Sequence, residues 1–205
     1  MITFKNLCPD EPYLVLKQRY DNSIEAGQEN IEAISISSFS NVTNEVNSRY
    51  VNLKFVDKNE FIFFSNYNSP KAKEFESHNQ ITALIFWNSI NCQIRLKAII
   101  KKTPKIFNKK YFKQRDKKKN ALAISSNQSF EIESYENVKS NYNKSINNDD
   151  LTDCPDHWGG FSFIPYYFEF WQGSELRLNK REKYEFQKNE WKKAFYSHKN
   201  ICVIS

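Results

Sequence analysis

Strand-length runs of alternating apolar and polar residues, divided by very short polar breaks, set the tightest limit on how this chain can fold. "RYVNLKFV", residues 49–56, places Val51, Leu53 and Phe55 on one face, with Arg49, Tyr50, Asn52 and Lys54 as a more polar side and edge. "DKNE" then turns the chain into "FIFFSN", so residues 49–66 predict a β-hairpin. "AISISSF" precedes it as another strand, with the polar "SNVTNEVN" as the turn between. "QITALIFWN", "CQIRLKAIIKKT" and the aromatic "GFSFIPYYFEFWQ" continue the series, and "YEFQKNEWKKAFY" predicts a closing hairpin. So many strands must pair or close their edges. The expected fold is mainly β with flanking helices (α+β), one barrel-like domain over residues 1–205.

Helical spacing is confined to a few segments. In "CPDEPYLVLKQRYDNSIEAG", Tyr13, Leu16, Tyr20 and Ile24 recur on one face, Pro12 suits a first turn and Gly27 can end the helix. Ser69 and Pro70 read as the cap and first residue of a second helix, with Lys71 in its first turn. A third begins at Pro104 and runs into the basic "KKYFKQRDKKK". Residues 133–153 are polar and rich in Asn and Ser, with room for a solvated helix and a loop at the end.

Bulk numbers exclude several classes. With 205 residues, 40% hydrophobic and 16% aromatic, the chain has ample material for a core. No run approaches the ~20 apolar residues of a membrane helix, and "MITFKNLCPDEP" lacks the pattern of a signal peptide, so a cytoplasmic protein is expected. Cys8, Cys92, Cys154 and Cys202 are scattered, as are the three histidines, so neither a metal site nor disulfides are expected. A net charge of +6 favours an anionic partner without naming it. The basic run Lys105–Lys119 reads as a solvated helix face, and no nucleic-acid motif accompanies it. Neither nucleic acid nor a membrane is an expected partner.

Chemistry-bearing residues gather in a few places. There is no phosphate-cradling glycine loop, so a phosphate site must use strand-borne cations and hydroxyls at a helix start. Arg49, Lys54, Ser65, Ser69 and Lys71 follow one another as strand, turn, strand and helix start, and could converge on one anion. Three of the four glycines fall within "HWGGFSFIPYYFEFWQG", which points either to tight turns flanking a strand or to close approach of another group. In "FWQGSELRLNKR", a strand would put Arg177, Asn179 and Arg181 on one face, and two guanidinium groups there call for an anion.

Read in order, "RYVNLK", "FFSNYNSPKAKE", "CQIRLKA", "KYFKQR", "NQS", "HWGGF" and "FEFWQGSELRLNKR" resemble pyridoxamine 5′-phosphate oxidase, an FMN-dependent enzyme family, over about residues 10–191. The resemblance implies a split β-barrel homodimer with FMN between subunits and a small phosphorylated pyridine as substrate. It assigns Arg49, Lys54, Phe64, Ser65, Lys71, Gln93, Gln128, Ser129, Trp171 and Arg181 to FMN. It assigns Lys54, Tyr111, Arg115, Lys119, Arg177 and Asn179 to the substrate, with Arg177 and Asn179 beside the reacting ring. On this reading Arg177 and Arg181 tolerate one another because the ligands carry the negative charge.

Three positions depart from the family pattern. Asn179 replaces a histidine, and asparagine cannot carry a proton at neutral pH. Pro70 replaces an arginine, and Lys119 a serine. The expected activity is oxidation of pyridoxamine or pyridoxine 5′-phosphate to pyridoxal 5′-phosphate with oxygen. The alternatives are a related flavin oxidase of another reduced ring, or a flavin- or pyridoxal-phosphate-binding protein with weak catalysis.

Overall fold

The predicted strands pair into a sheet whose two sides meet. A computed structural model describes residues 1–126, 129, 131–132, 134–175 and 178–196. Along the chain run β1 (Thr3–Lys5), α1 (Glu11–Glu25), β2 (Ala33–Ser40), β3 (Glu45–Asp57), β4 (Glu60–Asn66), α2 (Pro70–Ser77), β5 (Gln80–Trp87) and β6 (Cys92–Lys102). Then come α3 (Lys105–Gln114), α4 (Lys117–Ser125), α5 (Tyr135–Asn148), β7 (Trp158–Gln172), β8 (Lys180–Gln187) and β9 (Glu190–Tyr196). β3 pairs with β2, β2 with β5, β5 with β6 and β6 with β7, while β4 pairs with both β7 and β3. That ring of pairings closes the expected barrel and leaves its strands no free edge. The fifteen-residue β7 makes the split: its first half lies between β4 and β6, and its second half carries β8 and β9 outward.

Several boundaries differ from the sequence reading. β3 starts at Glu45, so Glu45–Ser48 is strand and only the four residues before it turn the chain. Asn44, with φ +56°, supplies the left-handed residue that the turn needs. β8 begins at Lys180, so Asn179 of the expected row precedes the strand and Arg181 lies within it. The basic segment is two helices, not one: the chain breaks at Arg115, and Asp116 caps α4 by accepting the Lys119 N–H at 3.1 Å.

A β-bulge in β3 has the largest consequence. Leu53 pairs with Phe63 and Phe55 with Ile62, so two residues of β3 face one of β4. The alternation therefore slips at Lys54. Leu53 and Val56 enter the core, whereas Phe55, expected beside Leu53, turns toward Phe64, Phe107 and Tyr111. Inside the barrel Phe61 stacks on Phe163 (5.1 Å) and Phe63 on Phe161 (5.7 Å). Burying each such ring contributes about 1.5–3 kcal/mol.

The first helix, α1, closes one end of the barrel. Tyr13 packs edge-on against Phe168 and Trp191, and the Tyr20 hydroxyl accepts the Ile2 N–H at 3.0 Å. Ile24 lies outside the buried stripe and stays exposed. Within 133–153 the larger part is helical, α5, capped by Ser134. Cys8, Cys92 and Cys154 are free thiols; Cys202 lies outside the described residues. Among the described residues no helix is long and apolar enough to cross a membrane, and no group of three His, Cys, Asp or Glu could hold a metal ion.

Candidate active site

The bulge aims Lys54 into a cleft of about 480 Å³ between β3, the end of β4, the start of α2 and the α3–α4 junction. Lys54, Phe64, Ser65, Lys71, Tyr111, Arg115 and Lys119 line it. Thus seven of the residues singled out from the sequence meet in one cavity. Four of them are cations, and Asp116, already committed to capping α4, is the carboxylate among the lining residues. A smaller pocket of about 240 Å³ shares Phe64, Ser65, Arg115 and Lys119 and reaches Trp158.

Among the described residues none of the four lining cations is in an ion pair within 4.0 Å. The buried Lys71 Nζ donates to Ser65 Oγ at 3.1 Å and Ser69 Oγ at 3.3 Å, and no ion pair to it occurs among the described residues. Burial pushes its ammonium below the usual range, Arg49 adds to this, and Glu74 partly offsets it. Burial likewise lowers Lys54; Glu32 opposes this, and Lys119 and Arg115 reinforce it. A cluster of cations in which Lys54, Lys71 and Arg115 are partly desolvated and Lys71 is braced by hydroxyls is suited to a phosphate group. The Ser69 hydroxyl does not cap α2 as expected, but donates to the Asn66 carbonyl at 2.7 Å.

Aromatic rings form one wall. Phe64 lies near-parallel to both Tyr111 (4.1 Å, 17°) and Trp158 (5.0 Å, 7°), which are themselves 6.4 Å apart. The Arg115 guanidinium lies 5.0 Å over the Trp158 ring and donates to the Lys119 carbonyl at 2.7 Å. The glycines after Trp158 are not turns. Both lie within β7, where a Cβ on Gly159 would sit 2.2 Å from the Tyr67 hydroxyl and 2.5 Å from Asn108 Nδ2. Asn108 is the residue that sequence reasoning missed: its Oδ1 accepts the Gly160 N–H at 3.0 Å, and its Nδ2 donates to the Tyr67 hydroxyl at 3.0 Å. The signal for it was indirect, an asparagine three residues before Tyr111 on the same helix face.

The remaining expected residues lie elsewhere on the chain. Gln93, Trp171 and Arg181 form one row across β6, β7 and β8, and none of them lines the cleft. Arg181 pairs with Glu169 at 2.9 Å, and Arg95 takes the other oxygen at 2.7 Å. Arg49 stands behind the cleft, paired with Glu74 at 2.8 Å. Ser129 is exposed with φ +68°. Asn179, expected beside a substrate ring, accepts the Ser174 N–H at 3.0 Å. Gln128 and Arg177 lie outside the described residues.

Residues 158–195 match the family model described as the pyridoxine 5′-phosphate oxidase C-terminal dimerisation region. The pyridoxine/pyridoxamine 5′-phosphate oxidase 1 of Hydrogenovibrio crunogenus is 32% identical over 177 residues, covering 85% of this chain and 81% of the relative. The corresponding Leptospira biflexa protein is 32% identical over 184 residues, covering 88% and 86%. Among solved structures, PhzG from Burkholderia lata, in complex with tetrahydrophenazine-1-carboxylic acid, matches with TM-score 0.85 at 23% identity over 92% of this chain and 93% of that one. A pyridoxamine 5′-phosphate oxidase-related, FMN binding protein from Nostoc punctiforme matches with TM-score 0.74 at 10% identity, over 93% and 98%. These two likenesses speak for the fold, a split β-barrel. The sequence relatives speak for descent, and by them the chain belongs to the pyridoxine/pyridoxamine 5′-phosphate oxidase family.

Proposed function

We propose that this protein binds FMN and oxidises pyridoxamine or pyridoxine 5′-phosphate to pyridoxal 5′-phosphate, with oxygen as electron acceptor. The observation that carries the reading is the convergence of Lys54, Lys71, Arg115 and Lys119 on one cleft walled by stacked rings. The residues fit the cofactor. Lys71 and Ser65 offer a buried ammonium and a hydroxyl to a phosphate, while Lys54, Arg115 and Lys119 remain for the phosphate of a substrate. The chemistry such a cofactor supplies is acceptance of two electrons from the substrate carbon and their return to oxygen. The chain's own part is to orient: Tyr111 and Arg115 hold the anionic end, and the Phe64–Tyr111 wall fixes the approach.

We further propose a homodimer in which each site draws on both chains. Two observations support it: the Gln93–Trp171–Arg181 row lies away from the cleft of its own chain, and the matched region 158–195 carries the description of a dimerisation region. On the outer face of the sheet Tyr50, Leu84 and Phe86 are exposed, apolar enough to bury against a second copy.

Aerobic turnover tests the reading. FMN-loaded protein should convert pyridoxamine 5′-phosphate to the aldehyde with one peroxide and one ammonia per turnover, and unphosphorylated pyridoxamine far more slowly. Equal rates on both amines, or no aldehyde from pyridoxamine or pyridoxine 5′-phosphate, contradict it.

A further inference from the structure

Behind the cleft sits a buried carboxylate that the proposed chemistry does not use. Glu74, on α2, is 7% exposed, and both of its oxygens are engaged. Oε2 accepts from Arg49 Nη2 at 2.8 Å and from the Ser38 hydroxyl, and Oε1 accepts from Asn47 Nδ2 at 3.0 Å. Three elements thus meet on one side chain: β2 through Ser38, β3 through Asn47 and Arg49, and α2 itself. Lys71 lies three residues earlier on the same helix face, close enough for Glu74 to stabilise its charge.

Two cations next to one another in a poorly hydrated corner need an anion whether or not a ligand is present. Among the described residues Lys71 hydrogen-bonds only to hydroxyls, and Arg49 pairs with Glu74. We propose that Glu74 is the built-in counter-anion of the Arg49–Lys71 pair: it stabilises both cations before a phosphate arrives and thereby limits how tightly the site holds one. The proposal rests on reading this corner as the cofactor-phosphate site. It gives Glu74 a positioning role, acting through Arg49 and Lys71 rather than by touching the ligand. Its carboxylate opposes an incoming dianion while keeping the guanidinium in place, so the site trades affinity for an ordered empty state.

The test uses thermal unfolding of the full chain across a series of inorganic phosphate concentrations, repeated with FMN. E74Q keeps the shape and can still accept from Arg49 and Ser38, but removes the charge. The unliganded Tm should fall. The phosphate-induced rise should grow, with the half-saturating phosphate concentration dropping on the order of tenfold because one opposing charge is gone. S38A removes one hydrogen bond to the same carboxylate and one from Arg49 Nη1 but leaves both charges, so it should lower Tm without moving that concentration.

A Glu74 that serves only to pin α2 predicts otherwise: E74Q then lowers liganded and unliganded Tm equally, with half-saturation unmoved, which overturns the proposal. So does an S38A shift as large as that of E74Q. Where E74Q does not fold, E74D takes its place; it keeps the charge and should keep wild-type half-saturation, and a tenfold shift there also overturns the idea. If FMN fails to stabilise the wild type while the phosphate shift of E74Q persists, the cofactor reading falls and the counter-anion stands.

Discussion

The Tyr111 ring lies 4.1 Å from the Phe64 ring at 17°, which joins α3 to the end of β4 and makes one surface of the cleft. The ring supplies the packing, and Arg115 lies near enough to the hydroxyl to counter the upward push of burial on its pKa. Y111F should therefore unfold within about 0.5 kcal/mol of wild type, whereas Y111A should lose about 1–2 kcal/mol of stacking and apolar contact. In steady-state kinetics Y111F should raise KM for the phosphorylated amine about fivefold with kcat little changed, since one hydrogen bond to a bound anion is worth about 1 kcal/mol.

Arg115 combines three roles that lysine cannot. Its guanidinium lies 5.0 Å over Trp158, donates to the Lys119 carbonyl at 2.7 Å and reaches Asn120 Oδ1 at 3.1 Å. R115K keeps the charge but loses the planar fork and the stack. It should raise KM by about ten- to a hundredfold while FMN affinity stays near wild type. Fluorescence titration with FMN beside steady-state kinetics separates the two effects.

Gly159 tests the packing behind the site. Any side chain there must displace the Tyr67 hydroxyl, 2.2 Å from the new Cβ, and Asn108 Nδ2 at 2.5 Å. Those groups also hold Gly160 and α3. G159A should cost about 1–3 kcal/mol in denaturant unfolding. It should also weaken substrate binding, because Asn108 precedes Tyr111 by three residues on the helix that carries it.

The Glu169 carboxylate sets a pH dependence. Burial alone would raise its pKa, but hydrogen bonds from Tyr167 and Arg181 and the charges of Arg95 and Arg181 bring it below the usual range. A carboxyl held low in the folded state gives its full stabilisation above the unfolded value of about 4.3 and loses it as pH falls through the lower folded value. E169Q should therefore be less stable than wild type at pH 7, by about 2 kcal/mol, with the gap narrowing below pH 4. Tm measured across pH 3–7 for both proteins checks this.

Much of the barrel was legible because strand alternation is a local property. The runs read at 80–88, 92–103 and 184–196 fall on β5, β6, and β8 with β9, the last hairpin starting four residues earlier than expected, and Pro70 opens α2 where its fixed φ suits a first turn. What was not legible depends on pairing. The bulge at Lys54 moves Phe55 out of the core and Lys54 into the cleft, and no residue type within "NLKFV" announces it. The break at Arg115 was readable in retrospect, since Asp116 is a good cap, but the helical spacing of lysines hid it. Nor is Asn179 placed by its neighbours: the strand expected to carry it begins one residue later, and its Oδ1 accepts the Ser174 N–H. Lys54, Phe64, Ser65, Lys71, Tyr111, Arg115 and Lys119 were readable as a group through the family resemblance, and the fold brings them together. Glu74 and Asn108 were not, because both act through other residues.

The central claim is that this cleft presents a phosphorylated amine or alcohol to a flavin. Its most direct test is anaerobic titration of the FMN-loaded protein with pyridoxamine 5′-phosphate and then pyridoxine 5′-phosphate, following flavin absorbance. The account predicts bleaching on addition, reversed by air as pyridoxal 5′-phosphate appears, and much weaker bleaching in R115K at the same substrate concentration. A flavin that binds yet stays oxidised with both compounds contradicts it.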